Sequence, residues 1–194
     1  MRKLGEEERL ELGRQVIEGG LFDYFYRLVI TDIKPPIFYR IKENQEQHSQ
    51  LTDWVLSELA PRVRPLDEQF WQRLVDYHKR PVREAAEHPT TADRILRAAH
   101  LYASKWEFNL IRPLNYFDEE LRDIDASFTE QLQAMHDLDG VSDLLAAAGN
   151  ALVRTANLCG QLRFQIRWSQ TPRIPETSVL GHMFVVAAYS YVLS

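Results

Sequence analysis

LRDIDASFTEQLQAM, residues 121–135, sets Leu121, Ile124, Phe128, Leu132 and Met135 at steps of three and four. That spacing gathers the apolar side chains into one stripe of an α-helix, a stripe that must find cover. The same period runs outward in both directions. Leu144, Leu145, Ala148, Leu152 and Leu158 continue such a stripe, with Ser142 placed to cap its start. Ile95, Ala99, Tyr102, Trp106 and Leu110 mark another helix, begun by Thr91 and ended before Pro113. Shorter helices fit Glu6–Glu18, Asn44–Leu59 and Asp67–His78. Convincing two-residue alternation is absent, so the chain reads as all-α. Punctuation at Pro35-Pro36, Pro61, Pro65, Pro89, Pro113 and Asp139-Gly140 separates these helices without forming a long flexible linker.

The bulk numbers fit a packed domain. The chain has 194 residues, 45% of them hydrophobic and 26% charged, enough for one domain or one domain and the start of another. A net charge of −5 gives no basis for non-specific nucleic-acid binding. The single cysteine, Cys159, excludes an internal disulfide and a Cys-rich zinc site, and reads as a small hydrophobe on an apolar face. The N-terminal MRKLGEEERLELGRQ is amphipathic and acidic and lacks the apolar core of a signal peptide, so a cytoplasmic location is expected. No phosphate-binding glycine loop, nucleophile elbow or zincin motif is present.

Thr177–Ser194 carries no formal charge. The run is close to spanning length, but it includes Gly181, His182, Ser190 and two tyrosines, and polar groups at a helix centre are costly in lipid. A buried core helix is therefore expected rather than a membrane anchor. Because the apolar run reaches Ser194, a homo-oligomer partner or a further C-terminal segment is expected to cover it.

Three histidines lie on apolar helix faces. His48 shares one with Leu51, Val55 and Leu59; His78 with Trp71, Leu74 and Val75; His182 with Val179, Val185, Val186 and Tyr189. Each taken alone reads as a partly buried histidine hydrogen-bonded to a carbonyl or carboxylate. Taken together they could instead gather around a metal, as helical bundles allow. A short echo also runs through the chain. Arg40-Ile41-Lys42-Glu43 precedes His48 much as Arg173-Ile174-Pro175-Glu176 precedes His182.

QLRFQIRWSQTPRIPETSVLGHMFVVAAYSYVLS, residues 161–194, resembles the first two helices of the HD superfamily of metal-dependent phosphohydrolases, closest to its bacterial deoxynucleotidase-like branch. The resemblance rests on Arg167-Trp168 closing a helix, an arginine in the following loop, then Glu176, then His182 opening an apolar helix. It implies that His182 is the first ligand of a divalent metal ion, and that Arg167, Trp168 and Arg173 contact a phosphate-ester substrate such as a nucleotide. Glu176 is expected to organise the loop. An adjacent His-Asp pair and a later aspartate complete such a site, and they are expected beyond Ser194. His136-Asp137 precedes His182 and reads as a surface helix end. On this reading the fragment by itself does not hydrolyse phosphate esters.

The same comparison makes residues 1–155 a degenerate HD-like domain and residues 156–194 the start of a second. His48, His78 and His100 would stand at the positions of the worn metal site, with Lys79 where an aspartate belongs. A lysine beside a cation opposes binding, so the first domain is expected to be structural or a partner for the second. The alternative reading of the whole chain is a noncatalytic helical binding or scaffold module.

Overall fold

The structure is a computed structural model that describes residues 4–31, 33, 35–81, 86–114, 120–146, 150–167, 170–171 and 177–193. The chain is all-α: the described residues form α1 (Glu6–Ile30), α2 (Pro35–Glu43), α3 (Gln45–Val63), α4 (Glu68–Lys79), α5 (Thr91–Ile111), α6 (Glu120–Gln133), α7 (Val141–Leu145), α8 (Ala151–Gln161) and α9 (Val179–Val192). Among them there is no strand, only an isolated antiparallel bridge between Ile166 and Ser178. Two compact units divide within α5, after Leu96.

In the first unit, α1, α3 and α4 pack on one another. Each start is specified locally. The Gly5 N–H donates to Glu8 Oε2 at 2.8 Å. Asn44 Oδ1 accepts the Gln47 N–H at 3.1 Å, and Asp67 Oδ1 accepts the Gln69 N–H at 2.7 Å. The expected end of α1 at Glu18 is overrun. The helix passes through Gly19-Gly20 to Ile30, although glycine costs about 1 kcal/mol in a helix interior. Burial of Leu21, Phe22, Tyr26 and Ile30 offsets that cost. Gly19 also lets the Leu96 side chain pack close against the helix, since a Cβ there would displace Leu96 Cδ1. Val55, Leu74 and Phe70 form the centre of this core, with Phe22 meeting Phe70 edge-on at 5.2 Å.

The second unit is held by Phe108, Leu132, Met135, Leu138, Val141 and Val153. Trp106 fastens α5 to α8: its Nε1–H donates to Asn157 Oδ1 at 2.8 Å, and its ring lies against Gly160, where a Cβ would clash with the indole. The continuous stripe expected from Leu144 to Leu158 is broken. Gly140, at φ 87°, precedes α7; Ala146 turns extended, and Asn150 recaps the chain by accepting the Leu152 N–H at 2.7 Å. Gly140, rather than Ser142, stands at the N-cap of α7. Cys159 is exposed rather than set in an apolar face, and no residue of α9 is buried, against the expectation of a buried core helix. No helix among the described residues is long and apolar enough to cross a membrane.

Candidate functional site

The segment that leads to His182 is built by backbone hydrogen bonds. α8 tightens into a 3-10 turn over Leu162–Phe164, and Gln165 then adopts extended backbone. The Arg167 N–H donates to Thr177 O and the Val179 N–H donates to Gln165 O, each at 2.8 Å. This reciprocal pair closes the Ile166–Ser178 bridge. It fixes Arg167 beside the start of α9. Arg167 therefore directly follows the bridge residue Ile166, beyond the helix it was expected to close.

Ser178 then starts α9. Its Oγ accepts the Gly181 N–H at 3.0 Å, and its carbonyl accepts the His182 N–H at 3.2 Å. The hydroxyl thereby satisfies one of the first-turn donors that a helix leaves unpaired. A Cβ on Gly181 would stand 3.2 Å from that oxygen, so the small residue suits the cap. His182 and Arg167 are each half-buried. Trp168, Arg173 and Glu176 lie outside the described residues. Sequence reading overlooked Ser178, although a Ser ahead of an apolar run is a helix-start signal. Gln165 and Thr177 carried no signal, because they act through backbone atoms.

In the first unit, positive charge on His48 disfavours the protonated form of His78. The His78 Nε2–H donates to Phe22 O at 3.1 Å, and its ring lies 4.7 Å from that of Tyr26 and 5.0 Å from that of Tyr77. Burial holds the His78 pKa below the usual imidazole value, against the opposing pull of the Phe22 carbonyl and Asp23. Burial also lowers that of His48, helped by the positive charge of Lys42. The Lys42 ammonium is itself pushed down by burial, and it sits 4.6 Å from the Phe38 ring centroid with the Arg27 guanidinium 5.2 Å from the same ring. Lys79 pairs with Asp53 at 3.0 Å. His100 is exposed on α5 and falls in the other unit.

Neither place fits a divalent metal ion as described. His78 commits Nε2 to a carbonyl, and the charge beside His48 is cationic, where a metal site wants carboxylate. Among the described residues no three His, Cys, Asp or Glu side chains come together as a metal-ligating group. His136 and Asp137 are exposed beyond the end of α6, where His136 Nδ1 lies 3.0 Å from Gln133 O.

Residues 159–194 match a family model described as HD domain. The matched segment includes the end of α8, the bridge and all of α9. No curated protein and no solved structure matches the chain.

Proposed function

We propose that this chain contributes the opening helices of an HD-type, metal-dependent phosphohydrolase of the deoxynucleotidase-like branch, acting on nucleotides in the cytoplasm. The observation that carries the reading is the HD match over residues 159–194, with Arg167 held beside the helix start that presents His182. The planar guanidinium of Arg167 would give paired, charge-assisted hydrogen bonds to a phosphate. Trp168 would supply an apolar wall or stacking surface for the sugar or base, and Arg173 a second cation. His182 would offer a neutral imidazole as one metal ligand. A divalent metal bound there would supply an activated water and offset phosphate charge.

One imidazole does not hold a cation tightly, so chain 1–194 is expected to be catalytically silent. Titrating the purified chain with Mn²⁺ and following p-nitrophenyl phosphate hydrolysis tests this. Neither stoichiometric metal binding nor turnover is expected. One equivalent of metal lost on His182→Ala would overturn the reading of an incomplete centre. The alternative, a noncatalytic binding or scaffold module, draws on the exposed apolar side chains of Met183, Val185, Val186 and Tyr189 along α9. It is favoured if Arg167→Ala leaves nucleotide binding unchanged.

A further inference from the structure

The second unit contains an open apolar concavity of about 700 Å³ lined by residues of α5, α6 and the turn after α8, within the size range of small-molecule sites, about 300–1,000 Å³. Phe108, Ile111, Ile124, Phe128 and Phe164 supply most of its lining. Several of these side chains face water: Phe164 is 66% exposed and Ile111 53%. Apolar side chains exposed separately need no explanation, but a cluster around one concavity marks a binding surface.

The polar side chains of the lining are Ser104, Glu107 and Arg163. The Arg163 guanidinium is held in place, 5.2 Å from the Trp106 ring centroid and with Nη2 3.0 Å from Glu107 Oε1. Glu107 is the more exposed partner of that pair. Ion pairs near the surface are weak, so Glu107 can yield Arg163 to a competing anion at small cost. An anchored cation beside an open apolar concavity complements a molecule with an apolar body and one acidic head.

We infer that this cavity binds an amphipathic carboxylate, its apolar body against Phe108, Ile124, Phe128 and Phe164 and its head on Arg163. The inference does not depend on the phosphohydrolase reading, because it uses none of Arg167, Trp168, Arg173 or His182. It also gives Glu107 a definite sign: its negative charge competes with the ligand.

Calorimetric titration of the full chain with decanoate and with decanol, both below their aggregation limits, tests the inference. One decanoate is expected per chain, with decanol about tenfold weaker for want of the charge-assisted contact. Arg163→Gln should bring decanoate to the level of decanol. Glu107→Gln should tighten decanoate severalfold and leave decanol unchanged. Ile124→Trp, which fills the cavity, should abolish both; circular dichroism reports whether it folds, and Ser104→Trp replaces it if it does not. Absence of saturable binding to the unaltered chain would overturn the inference. So would decanoate affinity unchanged by Arg163→Gln, or unchanged in a folded cavity-filling variant.

Discussion

Arg73 on α4 clamps the carboxylate of Glu18 on α1, with Nε 2.9 Å and Nη2 2.7 Å from Glu18 Oε1. Glu18 is 2% exposed and is also paired with Arg14 one turn earlier. A carboxylate this deep is tolerable only while its cations stay, since desolvating an unpaired charge costs several kcal/mol. Arg73→Ala is expected to destabilise the first unit by about 3 kcal/mol, the lower end for breaking a buried pair because Arg14 remains. Glu18→Leu combined with Arg73→Met should recover most of that loss. Urea unfolding of the single and double variants checks both, and an Arg73→Ala loss below about 1 kcal/mol would contradict the account.

His78 and His48 predict acid sensitivity. Both have folded pKa values below the ordinary 6.5, so between the folded and unfolded values the unfolded chain binds more protons. Their contribution to stability is complete above about pH 6.5 and is lost as pH falls below it. Each group adds a slope of at most about 1.4 kcal/mol per pH unit. Denaturation midpoints from pH 8 to pH 5 should show the decline, with a shallower one in His78→Phe. An equal slope in that variant would remove His78 from the explanation.

Gly160 admits no side chain, because the atoms it faces belong to a ring anchored by its own hydrogen bond to Asn157. Gly160→Ala should cost about 1–3 kcal/mol, the usual range for overpacking. Gly160→Ala paired with Trp106→Leu should cost less than the sum of the two single changes. Strict additivity would show that the contact is not the cause.

Ser178→Ala removes the hydroxyl that caps α9 and should cost about 1 kcal/mol locally. Amide hydrogen exchange at Gly181 and His182 is expected to quicken, while Asn157 and Val153 in α8 keep their protection. Unchanged exchange at Gly181 would mean that Ser178 does not start the helix.

Much of this architecture was legible in the sequence. Asn44 and Asp67 announce α3 and α4 because capping is local chemistry, decided within three residues. The half-buried positions of His48 and His78 follow from the same helical period. The misreadings occur where distant packing overrules local preference. Gly19-Gly20 looks like a helix end until Leu96 and the Phe22 core are present to hold the helix through it. The end of α7 at Ala146 was hidden because alanine is the strongest helix former, so residue type gave no sign of a stop there. Lys79 was expected to intrude on a worn metal site, whereas it reaches Asp53, a pairing that depends on how α3 and α4 pack. His182 was readable as a candidate from its place ahead of an apolar run, but the bridge from Arg167 to Thr177 was not, because backbone amides leave no trace in residue type.

The proposed function turns on whether Arg167 and the helix start at His182 receive a nucleotide phosphate. The most direct measurement is a ¹⁵N-resolved NMR titration of chain 1–194 with 2′-deoxyadenosine 5′-monophosphate, repeated with Arg167→Ala. Shifts should concentrate at Arg167, Thr177, Gly181 and His182, and the affinity should fall about tenfold in the variant. A titration that leaves these residues unmoved, or moves them equally in Arg167→Ala, would contradict it.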